Sequence, residues 1–242
     1  MRTRGVLLAG GTGSRLHPLT QVTNKHLLPV GRLPMILHPV GKFTALGISD
    51  ILVVTGREHM GHVVGLLGSG RDFGCDFTYK VQDQPGGIAQ ALGLAESFCN
   101  GSSMLVILGD NIFESSLQKA YLGFQNQASG ARLLLKEVDD PGRFGVAQME
   151  GDRLVRVVEK PEVPPSRLAV TGIYFYSADV FDHIRSLSPS DRGELEITDV
   201  NNAYASQGRL AWDHLDGWWT DAGTFESLAA ANRLAVSGEL AT

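Results

Sequence analysis

The run Val6-Leu7-Leu8-Ala9 breaks into Gly10-Gly11-Thr12-Gly13-Ser14-Arg15, and this junction narrows what the chain can fold into. A strand that ends in glycines lets its backbone N–H groups approach a ligand closely, because no Cβ stands in the way. Successive N–H groups in such a turn form a concave nest for anions, and Arg15 adds a full positive charge. Lys25 follows ten residues later, ahead of Leu27-Leu28-Pro29-Val30. Together these are the parts of a polyphosphate cradle. Read alone, the glycines serve a tight turn equally well; the two cations favour a ligand.

The charge distribution agrees. Arg2, Arg4, Arg15, Lys25, Arg32 and Lys42 all precede the first acidic residue, Asp50, so residues 1–49 carry +6. The whole chain carries −5, which leaves −11 on residues 50–242. A positive segment on an acidic body suits a small anionic ligand. Nucleic acid would call for a basic patch on a domain of high pI. With 43% hydrophobic and 19% charged residues, the chain is expected to be soluble with a substantial core. No apolar run approaches the ~20 residues of a membrane span, and Met1-Arg2-Thr3-Arg4 has no signal-peptide layout. Cys75 and Cys99 stand singly and are expected as buried thiols in a reducing cytoplasm.

Apolar runs and helical patterns alternate through the first half. Strands are expected at Gly5–Ala9, Asp50–Thr55, Asp76–Val81, Met104–Leu108 and Ala131–Val138. Helices fall between them, near Pro34–Leu46, Glu58–Leu67, Ile88–Phe98 and Leu117–Gln127. This order predicts a mostly parallel sheet with helices on both faces. Ligands of such sheets gather at the carboxyl ends of the strands, where the glycine loop and Asp110 would both lie. In the second half, Gly145–Met149 and Leu154–Val158 flank Glu150-Gly151-Asp152 as a hairpin. Ala169–Tyr176 and Leu210–Leu215 read as strands, and Ala178–Ser186, Ile197–Ser206 and Phe225–Val236 as helices. The reading is one α/β domain over residues 1–242, with a Rossmann-like mixed, mostly parallel central sheet flanked by helices. A nucleotide-binding half would span about 1–130, and a smaller β-rich sugar-binding lobe about 131–242.

Two familiar phosphate loops fail on the residues. A dinucleotide fingerprint needs a third glycine near Leu16 and an acid about 20 residues further on, and no acid precedes Asp50. A P-loop needs Gly-Lys-Ser/Thr where Arg15-Leu16 stands. Leu105-Val106-Ile107-Leu108-Gly109-Asp110-Asn111 is a buried strand ending in an aspartate, well placed for Mg²⁺. Read alone, Asp110 caps a following helix. Asp221, in Trp218-Trp219-Thr220-Asp221-Ala222-Gly223-Thr224, offers a second carboxylate or a second cap.

Glu159-Lys160-Pro161 ends a strand, and strand neighbours point to opposite faces, so its two charges need not pair. Glu159 could accept from sugar hydroxyls while Lys160 meets a phosphate; read alone, the motif is an exposed edge. Arg192 to Asp199 reads either as a ligand loop or as an acidic helix start. His59 and His62 read as surface residues without a third metal ligand. Trp212, Trp218 and Trp219 read as core or interface aromatics. No Gly-x-Ser-x-Gly elbow supports a hydrolase triad.

Together the segments LAGGTGSRLHPLT, NKHLLPV, GGIAQAL, LGDNIF, FGVAQ, EKP, VTGIYFY, RGELEITDVN and WTDAGT resemble the sugar-phosphate nucleotidyltransferases, from Gly5 to about Leu234. The resemblance implies a single α/β domain around a mixed sheet and a Mg²⁺-dependent enzyme of nucleotide-sugar biosynthesis. Its thymidylyl-transferring branch implies dTTP and glucose 1-phosphate as substrates, with UTP or another sugar 1-phosphate as the alternative. A non-catalytic nucleotide-sugar-binding subunit is the alternative of another class. By the resemblance, Leu8, Gly10, Gly11, Gly13, Arg15 and Lys25 would hold the triphosphate, and Gln82 and Gly87 would face the base. Asp110 and Asp221 would bind Mg²⁺. Asn111, Gly145, Glu159 and Val170 would line the sugar site, and Lys160 and Arg192 would meet its phosphate. Arg15, Lys25, Asp110, Lys160 and Asp221 would carry catalysis.

His26 replaces the family's usual glutamine, and Phe144 and Glu114 stand where tyrosines are usual near the sugar. The chain also stops soon after the helix near Val236, whereas longer relatives continue into helices used for subunit contacts and a regulatory nucleotide site. Weaker or absent end-product control is therefore the expectation, and a homo-oligomer fits the family.

Overall fold

A computed structural model describes residues 2–239. Its strands form where aliphatic and β-branched residues run together. They are β1 (Arg4–Ala9), β2 (Pro29–Val30), β3 (Leu33–Pro34), β4 (Asp50–Gly56), β5 (Asp76–Gln82), β6 (Met104–Leu108) and β7 (Asn111–Phe113). The series continues with β8 (Ala131–Glu137), β9 (Gly145–Glu150), β10 (Arg153–Glu159), β11 (Leu168–Tyr176), β12 (Leu210–His214) and β13 (Trp219–Asp221). Two compact units interleave along the chain. The first draws on residues 4–85, 107–116 and 217 onward, the second on 86–106 and 117–216 with the N-terminal residues.

In the first unit, β1, β4 and β5 are parallel, with Leu7 opposite Val53 and Val53 opposite Tyr79. Val6, Leu7, Ala9 and Ile51 to Val54 are fully buried, the unbroken apolar pattern of strands covered on both faces. Helices Leu37–Ala45 and Met60–Leu67 follow from the expected 3.6-residue periodicity, each starting later than the sequence suggested. Gly5 allows Phe43 to close on β1, since a Cβ there would lie 3.0 Å from both Phe43 and Ile51. The ribbon β7–β13 is antiparallel and places Asn111 opposite Asp221. Helix Phe225–Glu239 packs on it through Ala231 and Ala235, in a cluster with Leu16, Leu28, Met35, Ile112 and Ala222.

In the second unit, β9 pairs antiparallel with β10 and β11, β11 pairs antiparallel with β8, and β12 joins β8 in parallel. The hairpin turn sits where expected, and Gly151 has φ +60°, the left-handed region glycine adopts at no steric cost. Asn202 ties helix Ile197–Ser206 to β10: its Oδ1 accepts from Val157 N at 2.8 Å and its Nδ2 donates to Val157 O at 2.9 Å. These two bonds fix the strand that carries Glu159. The helix expected over Ile88–Phe98 divides into Ile88–Gly93 and Glu96–Cys99.

The α/β class and the mixed sheet flanked by helices are as expected. No helix among the described residues is long and apolar enough to cross a membrane. Cys75 and Cys99 are buried free thiols.

Candidate active site

The glycine loop leaves β1 with Gly11 at φ +91° and Gly13 at φ +63°, a left-handed pair that turns the backbone and exposes its N–H groups. Thr20 Oγ1 donates to Gly13 O at 2.8 Å, and Leu16 N donates to the same oxygen at 2.9 Å. Gly10 matters for a different reason: a Cβ there would come within 2.8 Å of Gln82 Oε1 and displace that side chain. Gln82 ends β5 beside this loop, so one of the two expected base residues lies in the same unit as the expected phosphate residues. A cavity of about 280 Å³ runs from Gly11, Thr12 and Lys25 to Gln82, Asp83 and Pro85, with Arg57 on its wall.

Lys25 opens a short 3-10 turn, Lys25–Leu27, capped by Asn24. Asn24 Oδ1 accepts from His26 N at 2.9 Å and pairs with His26 Nδ1 at 2.7 Å. Asn24 Nδ2 donates to Ala9 O at 3.4 Å, which ties the turn to the end of β1. The turn aims Lys25 Nζ at Asp110 Oδ2, 2.5 Å away. Burial, and then the adjacent Lys25 charge, push the His26 imidazole down to about 3, so it is neutral at pH 7. Burial alone would raise the Asp110 carboxyl. Lys25 and His26 beside it, with hydrogen bonds from Lys25 and Asn111, hold it well below the usual carboxylate range.

Asp110 does not cap a helix: Asn111 starts β7 instead. Nor does Asp221 cap the closing helix. Thr224 and Ser227 exchange that role, with Thr224 N donating to Ser227 Oγ at 3.0 Å and Ser227 N to Thr224 Oγ1 at 3.2 Å. Asp221 ends one strand of the two-stranded ribbon and Asp110 directly precedes the other, and Ala222 N donates to Asp110 O at 2.8 Å. A Cβ at Gly223 would stand 3.1 Å from Arg15 Nη2 and 3.7 Å from Asp110 Oδ2. Arg15, Lys25, Asp110 and Asn111 thus converge with Leu8, whose carbonyl accepts from Gly109 N at 2.8 Å. Asp110, held ionised, and Asp221 offer carboxylate oxygens only, the donor type that suits a hard divalent cation.

The remaining expected residues, Gly87, Gly145, Glu159, Lys160, Val170 and Arg192, lie in the second unit. Gly145 pairs with Glu159 across the hairpin, and a Cβ there would stand 3.4 Å from Glu159 Oε2. Thr198 Oγ1 donates to that oxygen at 2.6 Å. Lys160 departs from the expected strand alternation: its φ of +41° turns it back, and Nζ lies 3.7 Å from Glu159 Oε1. Arg192 Nη2 lies 3.3 Å from the same Glu159 oxygen and 2.8 Å from Glu196 Oε2. Val170 lies on β11 opposite Leu135. Gly87, at φ +96°, abuts the Arg192 segment: Leu195 N donates to Gly86 O at 2.8 Å and Ala89 N to Leu195 O at 3.2 Å.

Several residues at these sites escaped the sequence reading. Asn24 carried a signal, being a capping residue directly before a lysine. Trp219, read as a core or interface aromatic, donates from Nε1 to Asn111 Oδ1 at 2.8 Å. Thr198 and Glu196 fell within the segment read as a ligand loop or helix start, but neither was given a role, because their partners are distant or looped back. His59 and His62 stack with centroids 5.7 Å apart, and no cluster of three metal-ligating side chains occurs among the described residues. Glu114, one of the tyrosine replacements, accepts from Trp218 N through Oε2 at 3.3 Å.

The family model for nucleotidyl transferases matches residues 4–237. A glucose-1-phosphate thymidylyltransferase of Neisseria meningitidis is 43% identical over 232 residues, 94% of this chain and 81% of that protein. The low-salt glycan biosynthesis nucleotidyltransferase Agl11 of Haloferax volcanii is 39% identical over 96% of this chain, which spans 66% of that relative's length. A Bacillus anthracis structure, reported as a candidate glucose-1-phosphate thymidylyltransferase in complex with sucrose, superposes with a TM-score of 0.93. It is 57% identical, and the match covers 96% of this chain and 95% of that one.

Proposed function

The chain belongs to the nucleotidyl transferase family, and on that basis we propose that it transfers a thymidylyl group from dTTP to glucose 1-phosphate, forming dTDP-glucose and pyrophosphate. The substrates follow the names of relatives about 40–57% identical to it. The observation that carries the chemistry is the Lys25–Asp110 pair held against the glycine loop, with Arg15 alongside.

In this reading an oxygen of the sugar 1-phosphate attacks the α-phosphorus of dTTP. A new P–O bond forms, the bond to the bridging oxygen breaks, and pyrophosphate leaves with that electron pair. The nucleophile is already ionised at neutral pH, so no general base is required. Catalysis is then positioning and electrostatic stabilisation. Gly10, Gly11 and Gly13 bind the triphosphate through backbone N–H groups, and Arg15 and Lys25 offset its charge. Gln82 and Gly87 orient the base. Asn111, Gly145, Glu159 and Val170 hold the sugar, while Lys160 and Arg192 hold its phosphate. Asp110 and Asp221 are the residues that would hold Mg²⁺, which when bound supplies charge neutralisation at the triphosphate. Two carboxylates with phosphate oxygens and water are a usual Mg²⁺ set. The buried free thiols favour a reducing, cytoplasmic setting.

Pyrophosphate release with Mg²⁺ tests the reading, with dTTP, UTP, CTP, ATP and GTP each crossed against glucose 1-phosphate and other sugar 1-phosphates. Release that requires both substrates and is fastest with dTTP and glucose 1-phosphate is expected. No release from any pair, with nucleotide binding intact, would replace transfer by a nucleotide-sugar-binding role.

A further inference from the structure

Arg192 is held more firmly than an exposed arginine normally is. Its Nε donates to Glu196 Oε1 at 3.2 Å and its Nη2 to Glu196 Oε2 at 2.8 Å, a side-on fork in which both carboxylate oxygens are used. Such bidentate pairs fix the guanidinium plane as well as its distance. The spacing of four residues is not a helical one. Gly193, at φ +74°, reverses the chain, and Ser190 N donates to Glu194 O at 2.9 Å to close the loop. Glu196 is itself fixed: Ser190 Oγ donates to its Oε1 at 2.7 Å, and its side chain is 13% exposed against 41% for Arg192.

The second carboxylate completes the clamp. Glu159 Oε1 accepts from Arg192 Nη2 at 3.3 Å and lies 3.7 Å from Lys160 Nζ, so both cations gather on one oxygen. Nε and Nη2 are thereby engaged, while Nη1 has no protein partner among the described residues. An ordinary exposed ion pair is worth little. This one differs because its acid is mostly buried, separately anchored, and forked onto one edge of the arginine.

We propose that Glu196 is a positioning residue for the sugar-phosphate substrate: it turns the free Nη1 edge of Arg192 outward, beside Lys160, to receive the phosphate. This rests on the transfer reaction proposed above. The alternative physical outcome is that Glu196 competes with the phosphate for Arg192, and the two have opposite signs in the same measurement.

The test is Glu196→Gln, which keeps the size and an acceptor for Ser190 but loses the charged fork. It is expected to raise KM for glucose 1-phosphate about tenfold, with KM for dTTP and kcat changing less than about twofold. In an Arg192→Met background the same substitution is expected to change that KM by less than about twofold, because nothing remains to position. An equal effect in both backgrounds, or a lower KM in Glu196→Gln, overturns the proposal. Glu196→Asp keeps the charge, shortens the reach, and is expected to raise the same KM; an unchanged value would show that charge and not geometry matters, overturning it too. Calorimetric titration with glucose 1-phosphate separates this from the reaction itself. About tenfold weaker binding to Glu196→Gln, with no pyrophosphate released by wild type from any pair, keeps Glu196 and discards transfer. Equal binding by wild type and variant, or none by wild type, overturns the positioning role.

Discussion

Lys25 Nζ lies 2.5 Å from Asp110 Oδ2, and the two side chains are each 12% exposed. They are 85 residues apart in sequence, yet each is delivered by a short rigid device. Lys25 starts an Asn24-capped turn, and Asp110 sits between a buried strand and a two-stranded ribbon. The pair keeps a carboxylate ionised in a nearly buried position, where an unpaired one would be neutralised by protonation.

Asp110→Asn is expected to abolish turnover without unfolding the protein. Asparagine keeps the size and can still accept from Lys25, but it removes the anion that the proposed Mg²⁺ site needs. Pyrophosphate release should fall by at least ~10³-fold. Breaking a mostly buried pair leaves the lysine charge uncompensated, so the thermal midpoint should also fall by a few degrees. Near wild-type activity in a folded variant would remove Asp110 from the catalytic set.

Gly10→Ala addresses the nucleotide side. The new Cβ would stand 2.8 Å from Gln82 Oε1, so Gln82 must move. KM for the nucleoside triphosphate is expected to rise about tenfold, equivalent to ~1.4 kcal/mol, with little change in KM for the sugar 1-phosphate. Gly10 is absent from the positive-φ glycines, so its backbone accepts alanine and a folding defect is not the expected cause. Steady-state kinetics with each substrate varied in turn checks it.

The elements legible in the sequence were those with a long, single periodicity. β6 appeared with the predicted bounds, and so did helix Ile197–Ser206. The glycine loop and Lys25 were legible because sequence neighbours share the chemistry. What stayed hidden was short or non-local. β7 and β13 are three residues each, too short for any alternation to emerge, and so Asp110 alone reads as a helix cap and Asp221 as either a cap or a second carboxylate. The direction of Lys160 stayed hidden because it depends on one left-handed φ, which a lysine seldom adopts. The interleaving of the two compact units is set by long-range contacts, which leave no local mark on the chain.

Lys160 itself offers a way to separate charge from backbone. At φ +41° a residue with a Cβ is strained, and glycine is not. Lys160→Gly and Lys160→Ala both remove the ammonium and are expected to raise KM for the sugar 1-phosphate to a similar extent. Their stabilities should differ, with the glycine variant more stable by ~1 kcal/mol. Denaturant melts of the two variants test the backbone claim, and kinetics test the charge. Equal stabilities would mean that this segment relaxes when the lysine is lost.

Asp179 controls acid stability away from the proposed chemistry. Burial alone would raise its carboxyl. Hydrogen bonds from Ser177, Arg209 and Tyr204, with the Arg209 charge, bring it below the ordinary value of 3.8. Arg209 Nη2 is 2.7 Å away and Tyr204 OH 3.0 Å away, while His183 packs edge-on against the Tyr204 ring. A carboxyl depressed in the folded state contributes stability that is present above its unfolded value and is lost as pH falls through its folded value. Asp179→Asn is therefore expected to cost about 1–2 kcal/mol at pH 7, the lower part of the range reflecting its partial exposure. That gap between wild type and variant should shrink as the pH drops below 3.8. Thermal melts from pH 7 down to about pH 3 measure it. A gap that stays constant across that range would mean that the hydrogen bonds, and not the carboxylate charge, account for the stability Asp179 provides.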